Sequence, residues 1–262
     1  DERVKVFALK ENRGQAHARN VGLSHATGDY IGFVDSDDWL SRDALEKVCE
    51  SFRDDVDSVL FRVLYAYPDG RMRDYAMSPF TTMTGDEAFR ASLTWQIHGC
   101  YVVRNSIHKA HPYDESQRAY SDDNTTRIHY YYSRKVAYCE GVYYYRQQPV
   151  STTHSVSVRR FDFLLANESM RRQLLSLGAS EENLRCYETV RWLNLVGVYM
   201  FYYLHRNELS LTDRQHGLSV MYHVWHTINI KQVSRSIRCK FGYMPLRFSW
   251  SLSVCRKSCI FG

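Results

Sequence analysis

The chain has no Cys-x-x-Cys pair, no apolar run as long as a bilayer is thick, no internal repeat and no low-complexity tract. Each absence removes a class of protein. The seven cysteines, at positions 49, 100, 139, 186, 239, 255 and 259, are odd in number and widely spaced, and Cys255 and Cys259 have no histidine nearby. That pattern argues for reduced thiols and against a disulfide framework or a structural zinc site. The longest apolar run, Leu195 to Leu204, falls short of the roughly 20 residues that a membrane-spanning helix needs. The charged N-terminus does not read as a signal peptide. A cytoplasmic protein is expected.

Acidic residues are missing from the last stretch, where Lys231 to Gly262 holds seven Lys or Arg and no Asp or Glu. Phe241, Tyr243, Phe248, Trp250 and Phe261 are interleaved with those charges. Basic and aromatic residues together suit peripheral contact with an anionic membrane surface, here the inner face of the cell membrane. The same charges also read as a plain solvated face. No recognition motif accompanies them, so nucleic acid is not expected as a partner.

At 262 residues, with 44% hydrophobic and 24% charged residues, the chain has room for one large or two small domains with a substantial core. Val4–Leu9 reads as a strand, residues 15–26 as a helix, Tyr30–Val34 as a strand, 42–52 as a helix and 58–65 as a strand. This β–α–β–α–β order predicts an α/β fold with a mostly parallel, Rossmann-like sheet. Pro68-Asp69-Gly70 marks a hairpin turn, Thr84–Glu87 introduces a short helix, and 134–140 and 142–146 read as strands. From about residue 159 the pattern becomes helical, over 161–177, 182–205 and 212–231. The expected organisation is an α/β domain over 1–158 and a helical segment with a basic aromatic tail over 159–262.

The chemistry-bearing stretch is Tyr30-Ile31-Gly32-Phe33-Val34-Asp35-Ser36-Asp37-Asp38. A short apolar strand would carry three carboxylates out at its carboxyl end, the edge where open α/β sheets bind ligands. Carboxylates one residue apart can share magnesium or manganese, which is usually held by one or two of them plus ligand phosphates. The bland reading is a polar turn before the helix that starts near Ser41.

Two further segments accompany it. Asn12-Arg13-Gly14-Gln15-Ala16-His17-Ala18-Arg19-Asn20-Val21-Gly22 precedes the acidic strand, and Tyr143-Tyr144-Tyr145-Arg146 with Ser151-Thr152-Thr153 lies far downstream. In this order and spacing they resemble glycosyltransferase family 2, whose members have the GT-A fold and use nucleotide-activated sugars. The resemblance covers roughly residues 3–155. It implies an inverting, metal-assisted transfer of a sugar from a nucleotide diphosphate donor, UDP-linked in most relatives, to a glycan or lipid-linked acceptor. Asp35-Ser36-Asp37 would be the Asp-x-Asp motif, with Asp37 on the divalent cation and Asp35 on the cation or the donor ribose. Asn12, Gly14, Arg19 and Asn20 would shape the donor side, and Arg146 would pair with phosphate. His154, after the Ser-Thr-Thr loop, would approach the cation or the diphosphate. Tyr120-Ser121-Asp122-Asp123-Asn124 matches the segment of the general base: the resemblance aligns Asp122 with the base, and because Ser121 stands in place of the usual Glu, Asp123 is the alternative. The same residues would also cap the following helix. Trp95 and His98 fall where relatives begin their acceptor side.

The resemblance also implies a strand–helix–strand unit ahead of Val4–Leu9 that this chain does not contain, so the GT-A domain reads as N-terminally truncated. A second reading follows from that: an inactive GT-A fragment serving as an interaction or membrane-associated module.

Overall fold

Residues 1–53, 55–116, 120–147 and 156–240 are described by the computed structural model of the chain. They form two units, Asp1–Ser155 and Val156–Gly262. The first is α/β and the second helical, as the periodicity predicted. Residues 148–155 and 241–262, which include Ser151–Thr153, His154 and the basic aromatic tail, lie outside the described residues.

Two long strands form the spine of the first unit: β3, Val56–Ala66, and β7, Lys135–Arg146. They are parallel and paired along nearly their whole length, with register shifts between Val56 and Ser58 and between Leu60 and Arg62. Their β-branched and aromatic residues suit a strand buried on both faces. Shorter strands line both flanks. β6, Tyr101–Arg104, and the hairpin strand β4, Met72–Asp74, pair with β3. β2, Trp39–Leu40, and β5, Thr82–Thr84, pair with β7. β1, Tyr30–Gly32, closes the path β1-β6-β3-β7-β2.

The sheet is therefore mixed, not mostly parallel. Only β3–β7 is a parallel pair among the described strands; the other five pairings are antiparallel. The β–α–β order correctly gives β1 and β3 a common direction. It does not reveal that β6 returns between β1 and β3, or that β2, β4 and β5 are short return segments. Val4–Leu9 is not a strand; Val4 and Val6 are 68% and 87% exposed, with no ladder partner among the described residues. A strand without a neighbour leaves its backbone groups unpaired, so extended sequence alone does not make one. The two strands expected over 134–146 are one continuous β7.

Helices cover both faces. α2, Ala44–Ser51, lays Ala44 and Val48 on Val59, Phe61, Val63 and Tyr143. Gly141 allows this approach, because a Cβ there would lie 2.8 Å from the Ala44 carbonyl oxygen. On the other face Ala88 of α3, Gly85–Leu93, and Tyr130 of α5, Ser121–Tyr132, pack with Leu60, Ile97 and Val136. α3 opens with a capping box: Thr84 Oγ1 accepts from the Glu87 amide at 3.3 Å, and Glu87 accepts from the Thr84 amide at 2.9 Å. α1, Gln15–His25, and the short α4, Asn105–Ala110, complete the unit.

The second unit consists of α6, Arg159–Ser176, α7, Glu181–His205, α8, Leu211–Thr227, and the single turn α9, Arg235–Arg238. Phe161 and Leu164 of α6, Trp192 and Leu195 of α7, and Met221 and Val224 of α8 form its core. Among the described residues no helix is long and apolar enough to cross a membrane.

Candidate active site

β1 and β2 lie at opposite ends of the five-strand path, four interstrand spacings or about 19 Å apart. Residues 33–38 must bridge them, which carries the acidic segment across the carboxyl ends of β1, β3 and β7. The segment tightens into a turn in which the Asp38 amide donates to the Asp35 carbonyl at 3.0 Å. One buried side chain of β7 holds the turn from below. Tyr143 Oη accepts from the Asp35 amide at 3.2 Å and donates to the Asp38 carboxylate at 2.8 Å. The Arg146 amide donates to the other Asp38 oxygen at 2.8 Å. Burial raises the Asp38 carboxyl above its ordinary value, those two donors pull it back, and the charges of Asp37 and Asp35 push it up again. Asp37 is exposed.

Arg19, on α1, ties this turn to α5. Its guanidinium donates to Asp35 at 2.8 Å and to Asp122, in the first turn of α5, at 3.4 Å. Underneath, it lies 5.4 Å from the Phe33 ring centre and 5.3 Å from that of Tyr113. Burial works against the Arg19 charge, but Tyr113, Asp122 and Asp35 together raise its pKa above the usual arginine value. Asn20 fixes the Tyr113 shelf: its amide group donates to the Tyr113 carbonyl at 2.9 Å and to Glu115 at 2.8 Å, and its oxygen accepts from the Tyr113 amide at 2.9 Å. Asn12 accepts from the Gly14 amide at 3.0 Å, and Gly14 takes a φ of 93°, a left-handed conformation that glycine enters without strain. Asn12 and Gly14 thus build the entry to α1, which delivers Arg19, while Asn20 within α1 holds Tyr113 beneath it.

The N-terminus of α5 carries both base candidates. Asp122 accepts from Arg19 and from the Asp123 amide at 3.1 Å. Burial pushes the Asp123 carboxyl up to about 7; Arg127 opposes this and the Asp122 charge adds to it. Tyr120 enters the helix with a φ of 63°. Trp95, 39% exposed, is the other described non-glycine residue with positive φ, and its ring sits 5.1 Å from the Arg127 guanidinium. His98 is a core residue. Burial drives its imidazole down to about 4, and its Nδ1 accepts from the Cys100 amide at 3.3 Å. The Arg146 guanidinium lies 5.3 Å from the Trp39 ring, so it is the backbone, not the charge, of Arg146 that meets the acidic turn.

Sequence reading singled out Asp35, Asp37, Arg19, Asp122 and Asp123, and the fold brings Asp35, Arg19 and Asp122 into direct contact. It assigned no role to Tyr143, Phe33, Tyr113 or Cys100. Cys100 lies beneath the site, its thiol pushed up to about 12 by burial and by Asp38 and Asp35. The one available signal was Tyr143 itself, at the head of the Tyr-Tyr-Tyr-Arg run. Tyr143→Phe is expected to cost about 1.5–3 kcal/mol, the range for a hydrogen bond to a charged group, read as a lower urea midpoint with unchanged slope. An unchanged midpoint would show that water replaces the hydroxyl without loss.

Residues 1–111 match the family model described as glycosyl transferase family 2. An uncharacterized glycosyltransferase of Haemophilus influenzae is 57% identical over 47 residues, 18% of this chain and 19% of that protein. The Bacillus subtilis glycosyltransferase TuaG, named for teichuronic acid biosynthesis, is 52% identical over 50 residues, 19% of this chain and 20% of that protein. These shared stretches span about a fifth of the relatives' length. Among solved structures, S. aureus TarS 1-349 in complex with UDP-GlcNAc superposes with a TM-score of 0.66 at 17% identity, covering 94% of this chain and 75% of that one. That likeness is one of fold: an α/β GT-A domain followed by helices. Over residues 1–111 the chain is therefore similar to glycosyltransferase family 2.

Proposed function

We propose that the chain transfers a sugar from a UDP-linked donor to a glycan or lipid-linked acceptor, with inversion and with the help of a divalent cation. The observation that carries this reading is Arg19, which binds Asp35 of the acidic turn and Asp122 of α5 at once and so joins the donor and acceptor sides in one site. TarS structures with UDP-GlcNAc and with UDP support a uridine donor, and the name of TuaG supports a polysaccharide acceptor.

The residues present fit magnesium or manganese in the manner usual for phosphate-bound ions. Among the described residues no cluster of three or more His, Cys, Asp or Glu could hold a metal by itself. Asp35 accepts from Arg19 and Asp38 from Tyr143, and Asp37 is exposed in the same turn. Asp37, with Asp35 beside it, would supply the one or two carboxylates that such a cation takes alongside phosphate oxygens. When bound, the cation offsets charge on the departing diphosphate. The acceptor oxygen bonds to the anomeric carbon as that carbon's bond to the diphosphate oxygen breaks, and the acceptor proton passes to the α5 carboxylate. One displacement inverts the anomeric centre. Arg19 holds the two carboxylate-bearing elements in register, which supplies orientation.

The test is calorimetric titration of UDP with and without manganese. Manganese-dependent binding that disappears in Asp37→Ala is the expected result. A well-folded chain that binds no UDP under either condition overturns the reading and favours an inactive interaction module.

A further inference from the structure

Three adjacent strands place three tyrosines side by side. Tyr145 of β7 is directly opposite Tyr65 of β3 in the parallel register, and Tyr65 is opposite Arg73 of β4. Tyr75 follows Arg73 by two residues, and side chains two apart along an extended strand share a face. The rings meet accordingly. Centroids are 5.9 Å apart for Tyr145–Tyr65 and 6.0 Å for Tyr65–Tyr75, with planes turned by 83° and 49°. The row is thus a curved trough, not a flat platform. Tyr145 is 40% exposed, and Tyr65 and Tyr75 are half-buried. Tyr75 ends the row against His98, ring centres 5.1 Å apart, and its hydroxyl donates to the Trp95 carbonyl at 2.5 Å.

One end of this row is the reaction site. Tyr145 adjoins Arg146, whose amide holds Asp38, and stands two residues from Tyr143, which holds the whole acidic turn. The other end leads away to Trp95, whose indole packs on Arg127 of α5. Partly exposed tyrosines combine an apolar ring face with a hydroxyl that can hydrogen-bond, the combination suited to a ligand that is apolar on one side and polar at its edges. Sugar rings have that character. A row of successive rings is longer than one sugar; Trp95 adjoins its far end through the Tyr75 hydroxyl, and its positive φ belongs to the turn that closes α3, where the Gln96 amide donates to the Ala91 carbonyl at 3.0 Å and the Trp95 amide to the Ser92 carbonyl at 3.3 Å.

We infer that the acceptor is a glycan chain of several sugars, and that Tyr145, Tyr65 and Tyr75 bind the units behind the reacting end. The inference rests on the transferase reading for which end of the chain reacts. The row contributes affinity through successive stacking contacts, so affinity increases with chain length until the row is filled.

Saturation-transfer NMR on the full chain tests this, with UDP and manganese present. The probes are defined oligosaccharides of one to six units from neutral, N-acetylated and uronic acid series. At least one series is expected to bind about tenfold more tightly as a tetramer than as a disaccharide. Tyr145→Ala should abolish that gain, while Tyr65→Phe, which keeps the ring, retains most of it. Retained UDP affinity in both variants shows that the fold is intact. Binding that does not depend on length, a length gain that survives Tyr145→Ala, or no glycan bound by a chain that does bind UDP would each overturn the inference. A nucleotide in the trough would show as loss of UDP affinity in Tyr145→Ala, and that also overturns it. Length-dependent glycan binding by a chain that binds no UDP would support the row and overturn the transferase reading instead.

Discussion

Asp123→Asn is expected to lower UDP release from UDP-sugars by about 10²–10⁴-fold, the usual contribution of a positioned general base. Burial holds the Asp123 carboxyl at about 7, where a base is both ionised and strong enough to accept a proton. The wild-type rate should therefore rise with pH up to about 7 and level off above it, and the variant should lose that limb. Stability should show the opposite dependence. The folded-state pKa of Asp123 lies above its ordinary value, so the stability linked to its proton is fully present below pH of about 4 and is lost as pH rises through about 7. Asp123→Asn should accordingly melt higher than wild type at pH 8, with little difference at pH 4. A carboxylate that is merely structural would change the melting profile and leave the rate profile as it was. Asp122→Asn provides the contrast, because it removes a partner of Arg19 while keeping the Asp123 carboxyl. A variant of Asp123 that keeps its acid limb would move the base to Asp122.

Glu188→Ala should be the most damaging single change to the helical unit, costing about 3–5 kcal/mol. Glu188 and Arg191 of α7 are 1% and 0% exposed, and the guanidinium donates to both carboxylate oxygens at 2.9 and 3.1 Å. Arg171 of α6 donates to the same carboxylate, and so does the Asn229 amide after α8, at 3.3 Å. Arg191 in turn donates to the Thr227 hydroxyl at 2.6 Å. One carboxylate thus joins three helices, and without it a fully buried cation has no counter-charge. Such a loss should appear in calorimetry as a melting point lower by well over 10 °C. The double variant Glu188→Leu with Arg191→Met should recover much of it, since replacing a buried pair by apolar residues is often neutral or better. If Glu188→Ala alone shifts melting by only a degree or two, water must reach Arg191 and the pair is not sealed.

Most of the helices and the acidic turn were legible because their signals are local. Helical periodicity gave α6, α7 and α8 to within a few residues. Thr84 and Glu87, three apart, announce the start of α3 in the sequence itself. Strands were less legible, because a strand depends on its neighbour. Val4–Leu9 has strand composition and no ladder partner among the described residues, whereas Trp39–Leu40 is a strand only because Tyr143 and Tyr144 lie beside it.

The same division runs through the site. By itself the sequence determined the residue types: three carboxylates at a strand end, an arginine one helix earlier, and a second acidic pair at a later helix start. Short-range rules of strand, turn and cap account for all of these. Only the tertiary structure decided that Arg19 reaches Asp35, 16 residues away, and Asp122, 103 residues away. It alone decided that Tyr143, 108 residues from Asp35, supports the acidic turn, and that Tyr145, Tyr65 and Tyr75 stand in one row. The physical reason is that a contact across a sheet is fixed by strand order and register, and both are set by packing among distant segments rather than by local propensity.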